Sequence, residues 1–418
     1  MGHCIHIDEI VWEKTLWRKF CKYAGRRDKR LVFPEEPVVV VQDTDTMLSD
    51  FEANVIVKKA LSDFLDKKKP LKRYYSDDDQ KCKLTINTQV YADTYLFLSL
   101  RLAILQTDEQ ATSEIDKHLL NIVLNYNQNY WHYYDFEERL ADMLLTEGIK
   151  YKDIPVNEIC GFIIQGLRSG KYVSVHLDEY YMDRKESQGE IHLVRENLIY
   201  GYNNEKREFY AFGFGQREKT ETFIVTYDEM IPAFEKGRLF FFHGAGYLSM
   251  DGCYPLNYIQ LATPKSFVLT GEYLRERISD FLNPKEGTVT PDDMQVYGAE
   301  VYDMILEELK GETTRETIDY RTFHLLWEHK KNVYRCLKEV QQREGIISEE
   351  LVAKYQKVVN GFQGLRIVYM KEAGITERLI RTKKVHKICG LNERILEIFQ
   401  REVEREKAVL QEIVIELR

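Results

Sequence analysis

The fold of this chain is decided by two neighbouring strings, YVSVHLDEYYM over residues 172–182 and HLVRENLIYGYNNEKREFYAFGFG over residues 192–215. In Tyr172–Leu177 every second residue is a valine or leucine, an alternation typical of a β-strand. The second string contains two further strands, Leu193–Tyr202 and Glu208–Phe214, and the polar NNEK between them is typical of a hairpin turn. These strings therefore predict neighbouring antiparallel strands.

Helices and further strands flank this region. Val156–Leu167 has helical periodicity, and the Ser-Gly pair that follows is a stop signal. Tyr227–Phe234 is predicted to be a helix whose N-cap is Thr226 or Asp228. The other elements predicted here are the strands Glu221–Thr226, Leu239–Phe242 and Tyr258–Ala262 and the helix Gly271–Phe281. Residues 151–284 are therefore expected to form the antiparallel sheet half of an α+β body.

The preceding part of the chain, residues 1–150, is predicted to be mostly helical. One strand interrupts it at Pro37–Gln42, where a β-branched run is too short for a helix. Helical periodicity is found at Ile10–Tyr23, Phe51–Leu65, Tyr91–Leu105, Glu114–Leu124 and Phe136–Leu145. We expect this part to be the helical N-terminal half of the same body.

Residues 285–418 are predicted to form a C-terminal helical bundle. Apolar residues recur there in the 3,4 rhythm of packed helices, in three separate segments. The rhythm slips at Lys330, Arg366 and Glu406. In a bundle these polar residues are expected either to lie at an edge or to pair with each other.

Composition excludes several classes of partner. The 418 residues carry a formal net charge of -9, which argues against a broad phosphate-binding surface, so nucleic acid is not expected as a partner. The apolar runs are far shorter than the ~20 residues that cross a bilayer, and the first residues lack a signal-peptide pattern. Seven scattered cysteines without a CxxC pair are typical of a reduced chain. The sequence thus predicts a cytoplasmic protein without disulfides or a membrane partner, and leaves its oligomeric state open.

One group of metal-ligand residue types lies at the N-terminus. It consists of His3, Cys4, His6, Asp8 and Glu9. A zinc site of this kind is usually completed by a second ligand pair at matching spacing, and the sequence contains none downstream. We therefore predict a disordered or strand-like terminus, with no metal and no cofactor.

The central strings also resemble a known family. Residues 170–203, with the strand that follows, resemble the butirosin biosynthesis protein H type of domain, which is similar to the bacteriocin-processing C39 branch of the papain-like cysteine peptidases. The string IDYRTFHLLWEHKKNVYRCLKEV over residues 318–340 resembles the helical tail of relatives found beside nonribosomal peptide assembly lines. The resemblance covers residues 150–345 and implies a papain-like (C39-like) α+β fold.

The resemblance implies acyl-thioester chemistry. A cysteine thiolate takes an acyl or peptidyl group from a carrier protein, a histidine acts as base, and an acid or amide orients that histidine. This chain departs from the pattern at each position. The base position holds Arg195, the acid position falls on Gly213–Gly215, and no cysteine stands at Asn87–Gln89, where the nucleophile is expected.

Three functional hypotheses remain open. In the first, His192 serves as base with Cys82, or Cys4, as nucleophile, and the chain is an amide-forming acyl or peptidyl transfer component of a thiotemplated specialised-metabolite pathway. The second reading is a non-catalytic binding protein, a pseudoenzyme that holds a carrier protein or product. A cysteine hydrolase is a third possibility. In each of them Arg195, Asp178, Glu179 and Tyr180 are predicted to contact the substrate.

Overall fold

A computed structural model of the chain describes fifteen segments, and the statements below concern these segments only. They are residues 2–6, 21–22, 24–26, 28–35, 38–42, 80–127, 133–136, 140–150, 153–215, 219–238, 254–262, 267–287, 293–310, 320–381 and 391–417.

The described part of the chain contains thirteen strands and nine α-helices. The strands are β1 (Gly2–His6), β2 (Leu31–Glu35), β3 (Val38–Gln42), β4 (Lys81–Lys83), β5 (Ile122–Asn127), β6 (Tyr133–Phe136), β7 (Leu144–Ile149), β8 (Tyr172–Asp178), β9 (Val194–Asn203), β10 (Glu208–Phe214), β11 (Thr220–Thr226), β12 (Leu256–Leu261) and β13 (Asp293–Tyr297). The α-helices are α1 (Leu96–Leu105), α2 (Thr112–His118), α3 (Ile159–Arg168), α4 (Tyr227–Gly237), α5 (Gly271–Leu282), α6 (Val301–Lys310), α7 (Tyr320–Glu344), α8 (Glu349–Arg381) and α9 (Leu391–Glu416).

The protein consists of two compact units, each built from two stretches of chain. Unit 1 contains residues 1–85 and 146–260, and unit 2 contains residues 86–145 and 261–418. The chain thus passes from one unit to the other at residues 85/86, 145/146 and 260/261. The expected boundary near residue 150 lies close to the second of these changes, and the one near residue 284 lies within unit 2. Among the described residues, no helix is long and apolar enough to span a membrane.

Unit 1 is organised around an antiparallel sheet, as the sequence predicts. In its described part the strand order is β11-β10-β9-β8-β12-β7, with β4 also paired to β9. The pairs β8–β9, β9–β10, β10–β11, β8–β12 and β4–β9 are antiparallel. Every residue of β8 is buried. Helix α4 packs closely on it, since a Cβ added to Gly237 would lie 2.9 Å from the carbonyl oxygen of His176.

The start of α4 illustrates how local sequence sets an element boundary. The Thr226 hydroxyl accepts a hydrogen bond from the Glu229 backbone N–H at 3.2 Å. The Glu229 carboxylate accepts one from the Thr226 N–H at 2.7 Å. This reciprocal capping box satisfies two donors that a helix N-terminus otherwise leaves unpaired. Of the two predicted caps, Thr226 is the one confirmed.

Several predicted helices are strands instead. Helix α2 ends at His118, and β5 begins at Ile122, so the predicted helix Glu114–Leu124 is wrong in its second half. Phe136–Leu145 contains the end of β6, a 3₁₀ turn and the start of β7. Strand β13 pairs with β5, with Leu124 opposite Val296, so residues predicted to be helical here and after residue 285 form a small sheet. Pairing partners this distant in sequence leave no local periodic signal.

Other predictions have mixed outcomes. The strand predicted at Pro37–Gln42 is confirmed as β3. The helices predicted at Ile10–Tyr23 and Phe51–Leu65 and the strand predicted at Leu239–Phe242 lie largely or wholly outside the described residues. The backbone of β1 is consistent with the strand-like reading of the N-terminus. The side chains of the predicted metal-ligand group lie outside the description.

Unit 2 contains the predicted bundle, and its polar core explains where the apolar rhythm slips. The ammonium of Lys330 on α7 lies 2.9 Å from a carboxylate oxygen of Glu406 on α9, and both side chains are fully buried. The hydroxyl of Tyr355 donates to Glu406 at 3.0 Å, and that of Tyr302 also donates to Glu406. Two of the three irregular positions therefore pair with each other, as expected. The third, Arg366, places its guanidinium 4.8 Å from the centre of the Trp327 ring.

Candidate functional site

The candidate site of unit 1 forms where β8 ends and β9 begins. Asp178 is the last residue of β8, and His192 lies two residues before Val194, the first residue of β9. Because the two strands are antiparallel neighbours, Asp178 is paired with Val194. The hairpin thus brings together residues that are 14 positions apart in the sequence.

Asp178 orients His192. One oxygen of the buried carboxylate lies 2.7 Å from Nδ1 of His192, and the other accepts backbone N–H bonds from Tyr180 at 3.1 Å and Leu193 at 3.2 Å. An ionised carboxylate only accepts hydrogen bonds, so Nδ1 of a neutral His192 must carry the proton and Nε2 is left as the acceptor. The His192 side chain is 52% exposed, whereas that of Asp178 is 1% exposed. The geometry is that of a base held by a buried acid.

An aromatic residue completes the setting of the imidazole. The Tyr180 ring stacks on His192 with a centroid distance of 4.2 Å and an interplanar angle of 17°. Tyr180 belongs to the single 3₁₀ turn Glu179–Tyr181 that follows β8, and the side chain of Asp178 caps this turn. The same carboxylate therefore holds both the imidazole and the turn that carries the stacking ring.

Glu179 is the residue after Asp178, and its buried carboxylate contacts two cationic side chains. Nζ of Lys185 lies 3.4 Å from one oxygen, and a guanidinium nitrogen of Arg195 lies 3.5 Å from the other. Burial lowers the pKa of Lys185 to about 8, although Glu179 acts in the opposite direction. Lys185 also donates to the carbonyl of Phe214, whose ring lies 5.5 Å from the Arg195 guanidinium.

The predicted thiol does not join this site. Cys82 lies on β4 opposite Tyr202, near the far end of β9 from His192. Because each strand residue advances about 3.3 Å, the distance along β9 from Val194 to Tyr202 is ~26 Å. The Cys82 thiol instead contacts the carbonyl oxygen of Leu167 at 3.7 Å. The structure therefore does not bring Cys82 and His192 together, and the side chain of Cys4 lies outside the described residues.

The other predicted positions are distributed as follows. Arg195 contacts Glu179, and Tyr180 contacts His192, so these four residues and Asp178 lie in one region. The residue that orients His192 comes from the strand before it, Asp178, and not from the following strand at Gly213–Gly215. The sequence signal for this pair is an aspartate and a histidine at facing ends of two antiparallel strands.

Unit 2 contains a second cluster of polar side chains, which the sequence analysis does not predict. Nε2 of His324 lies 2.7 Å from Oδ1 of Asp93 and 3.0 Å from Oε1 of Glu328. Burial lowers the pKa of His324, but the hydrogen bonds to Asp93 and Glu328 outweigh it and raise the pKa to about 9. Among the described residues this is the group whose donor atoms suit a metal ion. A separation of 231 positions hides Asp93 from sequence reasoning, and the available signal was the His-x₃-Glu spacing on one helix.

No protein-family model matches the chain, and no curated protein matches it.

Proposed function

We propose that unit 1 is a papain-like α+β body and that the chain is a cytoplasmic, amide-forming acyl or peptidyl transfer component of a thiotemplated pathway. Its donor is the thioester of an acyl or peptidyl carrier protein, and His192 is the general base. The observation that carries the proposal is the Asp178–His192 pair, in which a buried carboxylate holds an exposed imidazole.

In this mechanism the base acts directly on the acceptor amine. The amine nitrogen attacks the thioester carbonyl, a C–N bond forms, and the proton released from nitrogen passes to Nε2 of His192. The C–S bond then breaks, and the departing thiolate takes that proton back. The Asp178 carboxylate stabilises the imidazolium that forms between the two steps. No acyl-enzyme is required, which agrees with the distance between His192 and Cys82.

The close packing around Gly201 supports the papain-like assignment. The family-like Gly-Tyr pair lies in β9 between β4 and β10. A Cβ added to Gly201 would lie 2.6 Å from the carbonyl oxygen of Cys82 and 2.8 Å from the Tyr210 ring. Position 201 therefore leaves no room for a side chain, because β4 and the Tyr210 ring of β10 lie too close to it.

Arg195 is proposed to contact an anionic group of the donor. Its side chain is 20% exposed, and its guanidinium lies between Glu179 and the ring of Phe214. A guanidinium suits a carboxylate or the phosphate of a carrier's phosphopantetheine arm, because it offers planar paired donors. The partly exposed Arg195 side chain also supports the second candidate function, a pseudoenzyme that binds a carrier or its product without turning it over.

The test is an amide-forming assay with an acyl-carrier thioester and a set of amines, followed by intact-mass measurement of the protein. We expect the wild-type chain to form amide without a stable increase in its own mass. Replacing His192 by glutamine should slow amide formation by about 10²–10⁴-fold, the usual contribution of a general base. Cys82→Ser is the matched control and should retain the wild-type rate.

Three other results would each favour a different reading. Stoichiometric acylation of Cys82 or Cys4 would show a thiol mechanism and contradict the direct one. Release of free acid in the absence of amine, with no amide in its presence, would indicate a hydrolase. Carrier binding that depends on Arg195, with no turnover of any amine, would identify the pseudoenzyme.

A further inference from the structure

Three donor atoms converge in unit 2, far along the chain from the site of unit 1. His324 and Glu328 lie four residues apart on α7 and so face the same side of the helix. Asp93 comes from the segment that precedes α1. One donor atom from each residue lies within 4.8 Å of the other two.

The donor types match zinc better than magnesium or calcium. One imidazole nitrogen and two carboxylate oxygens form a mixed nitrogen–oxygen set, whereas the two lighter cations prefer oxygen alone. Zinc bonds to such atoms are about 2.0–2.2 Å long, so tetrahedral ligands are separated by about 3.3 Å. The observed separations of 2.7 and 3.0 Å are shorter than this by about 0.6 and 0.3 Å. Zinc would replace the proton that Nε2 shares with the two carboxylates, because a ligating imidazole must be neutral, and small side-chain rotations would then make room for the ion.

A supporting shell holds one of the carboxylates in place. Glu328, whose side chain is 2% exposed, accepts hydrogen bonds from the Asp93 N–H and from the N–H and hydroxyl of Thr94. Outer hydrogen bonds of this kind orient metal ligands and increase their affinity. The Glu328 carboxylate is thus fixed before any ion arrives.

The exposure of the three side chains leaves one direction open. The Asp93 side chain is 37% exposed and that of His324 is 14% exposed. Three protein ligands with a solvent-facing fourth position are the arrangement of zinc sites that bind water or substrate. Two carboxylates would also balance the two charges of the ion. Lys331 and Arg366 lie over the Trp327 ring, which packs against His324. Their positive charges lower the affinity of this cluster for a cation.

We propose that Asp93, His324 and Glu328 bind one zinc ion, with the fourth position open to water or to a ligand oxygen. The ion joins the segment before α1 to α7 within unit 2. The proposal does not depend on the function proposed for unit 1, because it uses none of the same residues.

The test is calorimetric titration of the chelator-treated full chain with zinc chloride, with a parallel cobalt(II) titration read by its visible spectrum. We expect one equivalent to bind, a zinc-dependent rise in thermal midpoint, and cobalt bands without thiolate charge transfer. His324→Ala should weaken binding by at least about 100-fold, the upper end of what outer-shell changes alone produce. Asp93→Asn is a second variant, at a partly exposed position that is less important for folding.

The control is a chain in which His3, Cys4 and His6 are all replaced by alanine, because these residues are also metal-ligand types. It should bind zinc as the wild type does. The proposal is overturned if no zinc binds, or if the His324→Ala and Asp93→Asn variants, with circular dichroism like that of the wild type, bind it with wild-type affinity. Cobalt–thiolate charge transfer would likewise place the ion elsewhere and overturn it.

Discussion

Replacing Lys330 by methionine is expected to lower the free energy of unfolding of unit 2 by about 3–5 kcal/mol, the usual cost of breaking a buried ion pair by removing one partner. Lys330 and Glu406 are both fully buried, and their charged atoms are 2.9 Å apart. Burial lowers the pKa of Lys330, and the nearby Glu406 carboxylate partly opposes this shift. Without Lys330, the Glu406 carboxylate would keep only the hydroxyls of Tyr302 and Tyr355 as partners among the described residues.

The measurement is hydrogen exchange of amides in α7 and α9 together with urea denaturation, which report on the stability of this unit. Lys354→Met is the matched control, because Lys354 pairs with Glu412 at 2.8 Å on the surface of the same bundle. An exposed pair of this kind contributes little to stability, because solvent screens the two charges. The double variant Lys330→Met/Glu406→Leu should recover only part of the loss. It removes the unpaired buried charge, but it also removes the carboxylate that accepts from the buried hydroxyls of Tyr302 and Tyr355. Equal losses for Lys330→Met and Lys354→Met would contradict the prediction.

Replacing Asp178 by asparagine is expected to slow amide formation by about 10³–10⁴-fold, as in other enzymes whose base loses its orienting carboxylate. The asparagine oxygen can still accept the backbone N–H bonds from Tyr180 and Leu193. Its NH₂ group, however, faces Nδ1 of His192 and can only donate. The imidazole proton is then driven to Nε2, where the acceptor amine should deliver its own proton, so the base is held in the wrong tautomer.

The effect is measured as the initial rate of amide formation, with the thermal midpoint recorded for the same sample. Because the hydrogen bonds from the Tyr180 and Leu193 N–H groups are retained, we expect the thermal midpoint to change little while the rate of amide formation falls. Asp183→Asn is the control, since Asp183 is an exposed aspartate shortly after the same turn and its carboxylate contacts Gln188. A wild-type rate for Asp178→Asn would show that His192 is not the base.

Elements specified by short-range patterns could be read from the sequence. The alternation in Tyr172–Leu177 predicts β8, the NNEK turn predicts the hairpin between β9 and β10, and Thr226 predicts the start of α4. The slip in apolar rhythm at Lys330, Arg366 and Glu406 predicts either edge positions or mutual pairing, and Lys330 and Glu406 pair. Each of these signals has a local cause. A helix cap satisfies a backbone donor nearby in the sequence, and a polar residue interrupts the apolar stripe of its own helix.

Elements that depend on distant partners could not be read in this way. Strand β5 was predicted to continue a helix, because its apolar run is short and its partner β13 comes much later in the chain. The papain-like pattern predicts the orienting acid at Gly213–Gly215, whereas the carboxylate that holds His192 is that of Asp178. In the sequence Cys82 is a candidate nucleophile because it is the thiol nearest to Asn87–Gln89, and only the strand pairing shows that it lies at the far end of β9 from His192.

Short-range alternation, turns and caps predict the strands β8 to β11 of unit 1 and the long C-terminal helices of unit 2. Which side chains meet depends on the tertiary fold, as it does for Asp178 with His192 and for Asp93 with His324 and Glu328. The physical reason is that periodicity and capping arise from hydrogen bonds and burial within a few residues. Convergence of functional groups depends instead on strand order and helix packing, which join positions as much as 235 residues apart.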